Sequence, residues 1–240
     1  MRSGRNLWLA LAAALFCLAP CALGQGTVNI SLTSAGNNVM DGIYVGPYSA
    51  SVNGTSTQII CDDFTDESYV GESWTANVTT LSNLNGTKWG GMANATQLYD
   101  EAAWLATQMV SPTYSGNATQ VGYLAYALWA VFQPSAVESW LGGPNSAVWQ
   151  AVQGWLSSAA AQNFTAGEFS NFFLYTPNMN FPITCNGQSC ANTPPQEFFG
   201  FLSAAEGGST LMYLLLATLV CAGAFWLHSR RRIEARVTAV

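Results

Sequence analysis

Ile60-Cys61-Asp62-Asp63-Phe64 sets a thiol directly before two carboxylates, a compact grouping of side chains that could do chemistry. A cysteine attacks as its thiolate, so it needs a base or a cation beside it. The chain supplies few. Between Gln25 and Glu206 it carries twelve acidic residues and a single basic one, Lys88, for a net charge of −11. The one histidine, His228, lies far beyond this region, which removes the imidazole that a triad, a proton shuttle or a zinc site would use. No catalytic residue, metal or other cofactor is assigned. Nucleic acid is excluded as a partner, because no Lys/Arg cluster exists to neutralise phosphate.

Three other groupings invite a reading. Asp62, Asp63, Asp66, Glu67 and Glu72 could ligate calcium, but they lack the Asp-x-Asp-x-Asp-Gly spacing and so read as a solvated acidic loop. Trp89 and Trp140, each close to glycine, are candidate contacts for an extracellular polysaccharide. With paired carboxylates in one cleft the same rings would suit a glycosidase. Cys185 and Cys190 flank a four-residue polar loop, and outside the cytoplasm that spacing reads as a disulfide.

The elements that must position these residues change character along the chain. Thr27 to Thr33 alternates like a strand, Gly42 to Val45 is a second short run, and Ser73 to Leu81 a further strand. Asn53-Gly54 suits a type I′ turn, which would pair Val52 with Thr55, Ala50 with Thr57 and Tyr48 with Ile59. Tyr48, Ala50, Val52, Ile59 and Cys61 then share one face, so Cys61 points inward. From Asn94 the period becomes helical. Leu98, Ala102, Leu105 and Met109 mark a first helix; Val121, Leu124, Ala125, Leu128 and Phe132 a second; Ser146 to Ala160 a third. Thr165 and Glu168 form a capping box with Phe164 and Phe169 as its staple, which predicts a fourth helix ending before Pro177. The expected fold is α+β, with N-terminal antiparallel strands followed by about four helices in residues 25–177. Residues 178–205 read as a polar connector.

Both ends of the chain point to export. Arg2 and Arg5 precede the apolar run Leu7 to Leu18, and Ala22-Leu23-Gly24 offers a cleavage site, so residues 1–24 read as a signal peptide. Thr210 to Leu227 contains 18 residues without a charge, enough to cross a hydrocarbon core of about 30 Å as a single transmembrane helix. Arg230, Arg231 and Arg232 follow, which places residues 233–240 in the cytoplasm and the N-terminal domain outside. Glu206, Ser209 and Thr210 before an apolar span and an Arg run resemble the PEP-CTERM class of bacterial sorting tails. That resemblance implies a sorting protease of the exosortase type and release to the cell surface or matrix. Ala205 and Gly207 stand where those tails carry proline, and Gly208 is an extra residue.

Within the exported region, Ile60-Cys61-Asp62-Asp63-Phe64, Glu101-Ala102-Ala103-Trp104-Leu105-Ala106 and Leu124-Ala125-Tyr126-Ala127-Leu128-Trp129 are similar to the thioester domains of bacterial surface adhesins. The resemblance implies that Cys61 is the thioester cysteine, bonded to a glutamine from a Thr-Gln-x-Ala-x-Trp helix. Ala127 and Trp129 match that helix, but the glutamine position is Ala125. Gln97, Gln108 and Gln120 are the nearby carboxamides in sequence, and without one of them in reach Cys61 is a buried, unpaired thiol. The expectation is a surface or matrix protein with a structural or adhesive role and no catalysis. The alternatives are an exopolysaccharide-binding module, a thioester-forming adhesin and a carboxylate glycosidase.

Overall fold

A computed structural model describes residues 26–189 and 194–201. The expected signal peptide, Cys190, and the sorting and anchor residues Glu206, Ser209, Thr210, Arg230, Arg231 and Arg232 lie outside the described residues. Among the described residues no helix is long and apolar enough to cross a membrane.

The fold is α+β. Strands β1 (Gly26–Ser34), β4 (Tyr48–Val52), β5 (Thr55–Cys61), β10 (Phe198–Phe201), β7 (Phe172–Pro177) and β6 (Glu72–Thr80) pair in that order, all antiparallel, and β6 returns to β1. The result is a closed six-stranded barrel, which leaves no exposed sheet edge. A short ladder, β2 (Val39–Met40) with β3 (Ile43–Tyr44), stands beside it. The hairpin β8 (Thr184–Cys185) and β9 (Gln188–Ser189) extends β6. Among the described residues four helices follow β6: α1 (Ala95–Val110), α2 (Ala118–Phe132), α3 (Pro134–Trp140) and α4 (Ala147–Ala160).

The turn at Asn53-Gly54 forms with both residues at positive φ, and the register pairs Val52 with Thr55, Ala50 with Thr57 and Tyr48 with Ile59, as the sequence predicts. Cys61 is buried opposite Phe198 on β10, so it shares that residue's inward face. Phe198 packs inside the barrel against Tyr48 and Trp74, while its neighbour Phe199 faces outward to Tyr99 of α1. A strand that buries alternate aromatics on its two faces is held from both sides, and each ring contributes roughly 1.5–3 kcal/mol.

Two expectations about order are corrected. The predicted fourth helix does not form. Glu168 does accept from the Thr165 backbone N–H, and Phe164 does meet Phe169 edge to face, but Gly167 at φ 81° turns the chain away. The following Phe172-Phe173-Leu174-Tyr175-Thr176 becomes β7 and is buried on both faces. The helix that completes the four is α3, with Pro134 at its first position. The strands are also not confined to the N-terminal part. The stretch read as a connector supplies β10, which bridges β5 and β7 and closes the barrel.

Candidate functional site

The ends of β5 and β10 place Cys61, Asp62, Asp63 and Glu197 together under α1 and α2. The Asp62 backbone N–H donates to the Glu197 carbonyl at 3.3 Å, continuing the ladder past the last paired strand residues. From α2, the Trp129 indole N–H donates to the Cys61 carbonyl at 3.0 Å. Helix α2 therefore sits against the cysteine.

The thiol itself is enclosed. Cys61 Sγ donates to the Asp63 carbonyl at 3.0 Å and accepts from the Asp63 N–H at 3.3 Å. Burial, and then the charges of Asp63 and Asp62, push its pKa well up. It is thus a poor thiolate and a good structural donor. Two of the three glutamines singled out from the sequence are engaged elsewhere: Gln97 donates to Glu101, and Gln120 accepts from the Trp155 indole. Two others, not foreseen, do reach the segment. Gln133, at the end of α2, accepts from Phe64 N–H at 2.8 Å and donates to the Thr65 hydroxyl. Gln196, just before β10, donates from Nε2 to the same Asp63 carbonyl that receives the thiol, at 2.7 Å. Gln196 lies so far along the chain from Cys61 that only the closure of the barrel by β10 brings them to one oxygen.

The acidic run is a solvated loop only in part: Glu67 is exposed and Asp66 half-buried. Asp62 and Asp63 are fully buried and Glu72 nearly so, because they lie where β5 and β6 meet the rest of the fold. Asp63 forms an ion pair with Lys88 Nζ, which also reaches Asp66 at 2.6 Å. Burial raises the pKa of Asp63 even so, and that of Lys88 rises because its two carboxylates outweigh burial. Glu197 is held by three donors: Tyr99 Oη at 2.6 Å, Lys88 N at 2.9 Å and the Thr176 hydroxyl. Burial keeps Tyr99 protonated and able to donate. Asp62 is different. Neither of its oxygens has a hydrogen-bond partner, and the group facing it is the Glu197 carboxyl.

The candidate sugar contacts separate as sharply. Trp89 stacks on Phe132 with ring centroids 5.5 Å apart, and Lys88 Nζ lies 4.9 Å over the ring, so its surfaces are taken. Trp140, 53% exposed at the end of α3, touches Phe64 edge-on and leaves a face open. It borders a groove of about 390 Å³ lined also by Asp41, Leu141, Gly142, Ser146 and Val148. Beneath it the Tyr126 hydroxyl donates to the Met40 carbonyl, and burial pushes its pKa up to about 12.

Cys185 is engaged in a disulfide, and its expected partner Cys190 lies outside the described residues. Asn186-Gly187 turns the β8–β9 hairpin with both residues at positive φ.

No protein-family profile, no curated protein and no solved structure matches this chain.

Proposed function

We propose that the chain is a surface or matrix protein of the cell envelope with a structural or adhesive role and no catalytic centre. It is exported and then held by a C-terminal helix or released by a sorting protease. The observation that carries this reading is the enclosure of its reactive groups. Cys61, Asp62, Asp63 and Glu197 are each at most 2% exposed, so no substrate reaches them, and most are committed as internal hydrogen-bond partners. An enzyme needs its acid or nucleophile in a cleft. Intact mass of the protein from its native cells tests the proposal at both ends. The expected chain begins near Gln25 and ends either shortly after Glu206 or at Val240; a mass that still includes residues 1–24 overturns export.

A second reading, binding of a glycan, is favoured by the groove at Trp140. An exposed indole face offers a stacking surface, Asp41 offers an acceptor for hydroxyl or ammonium groups, and the acidic surface repels polyanions. Neutral or amino-bearing polysaccharide is the class that fits. In affinity electrophoresis, hydroxyethylcellulose or dextran should retard the full chain, and Trp140→Ala should remove the retardation. Equal retardation of the variant sinks this reading.

A further inference from the structure

We propose that Asp62 carries a proton that it donates to the Glu197 side chain and that this bond is a clasp that holds β10 in the barrel, released when the proton is lost. The argument begins with the hydrogen-bond inventory. Both side chains are fully buried, and a buried carboxyl group without a donor is costly. Glu197 has its donors in Tyr99, Lys88 N and Thr176. Asp62 has none, and it lies directly across the extended β5–β10 ladder from Glu197, next to the pair Cys61 and Phe198. Two carboxylates cannot donate to one another, so a proton on Asp62 is what turns the contact from repulsion into a bond. Among the described residues, no third acid, histidine or cysteine joins the two in a cluster that could hold a metal ion instead.

The acidic groups around the pair act against ionisation of Asp62, and the one cation nearby is turned to other carboxylates. From the β5 end come Cys61 and Asp63, from α1 Tyr99, and from the loop before it Lys88, whose ammonium is turned to Asp63 and Asp66. Burial is the largest cause of the raised Asp62 pKa, and Glu197 and Asp63 add to it. Among the described residues no free cation faces Asp62 to stabilise its ionised form.

The strand held by this pair is the one that closes the barrel. Glu197 immediately precedes β10, and its backbone carbonyl bonds the Asp62 N–H. When a base in solvent takes the proton, Asp62 is left as a buried charge without a donor, and the nearest relief is for the chain around Glu197 to move out, carrying Phe198 and Phe199 with it. The folded state keeps the proton to higher pH than the unfolded chain, whose aspartates titrate near about 3.9. The stabilising contribution is therefore complete below that pH and is lost as pH rises toward the value in the fold.

Hydrogen exchange of β10 amides in the full chain, followed by mass spectrometry across pH 4 to 9, reads the clasp directly. After correction for the intrinsic base catalysis, opening of residues 198–201 should grow by up to about tenfold per pH unit while one proton is released. Asp62→Asn, which keeps the shape and gives Glu197 a permanent donor, should flatten that slope and slow β10 exchange at high pH. If β10 in the unmodified protein opens with no pH slope, or Asp62→Asn keeps the same slope, the clasp does not exist. The unmodified protein alone supplies the first of these outcomes.

Discussion

The centre behind Cys61 and the groove beside Trp140 are opposites in chemistry and in access. The first gathers a thiol, three buried acids, a tyrosine and the one lysine of the domain, with the thiol and the acids enclosed. The second has one carboxylate and one ring and lies open. Reactive composition and a functional surface are thus separate properties: burial converts the acids and the thiol into fastenings, whereas exposure alone gives Trp140 a chance to meet a ligand. Trp89 and Trp140, alike in sequence context, divide along the same line.

The largest effect that would sharpen this contrast belongs to the buried centre. Glu197→Ala strands the donors of Tyr99, Lys88 N and Thr176 and opens a void, and should cost about 3–5 kcal/mol in urea unfolding of the full chain. A loss under about 1 kcal/mol would show that the acids are not what fastens β10. Trp89→Ala comes next, at about 3 kcal/mol or more because a stacked core ring is removed, with retardation by polysaccharide unchanged. Trp140→Ala should do the reverse, shifting stability by less than about 1 kcal/mol while abolishing retardation. If the two variants exchange these phenotypes, the division between fastening and binding surface is misplaced.

Smaller again is Trp129→Phe. It leaves the Cys61 carbonyl without its donor and should cost about 1–3 kcal/mol, with faster alkylation of Cys61 by iodoacetamide. The smallest signal is a mass. The intact protein should retain every side-chain ammonia, in keeping with Cys61 as a free thiol. A chain lighter by one ammonia, restored by a small amine, would establish a thioester, and Gln196 would be the first carboxamide to replace.

Local chemistry made part of this molecule legible. Asn53-Gly54 fixed a hairpin and its register because only a type I′ turn suits two residues at positive φ between twisted strands, and that register alone turned Cys61 inward. Helices α1, α2 and α4 were readable because a period of 3.6 survives along 14 to 16 residues. The capping box at Thr165 misled because its hydrogen bonds form in a single turn as well as in a helix; Gly167 and the aromatic run after it decided for β7. Strand β10 was hidden, since four residues after a polar, proline-containing stretch carry too little pattern to declare a strand. Gly200 shows what its place demands: a Cβ there would lie 2.2 Å from the Tyr175 ring on the neighbouring strand.

The sequence by itself determined the charge balance, the absence of an imidazole between Gln25 and Glu206, the first hairpin and the long helices, because each depends on composition or on residues close in the chain. Only the tertiary structure decided that β10 closes a barrel, that Glu197 meets Asp62, that Gln196 rather than Gln97 or Gln120 reaches the Asp63 carbonyl, and that Trp89 is covered while Trp140 is open. Those outcomes depend on segments separated by about a hundred residues or more, or on which side of a helix the barrel occupies. Acidic residues are usually solvated, and nothing in their local spacing announces a partner that arrives from the far end of the domain.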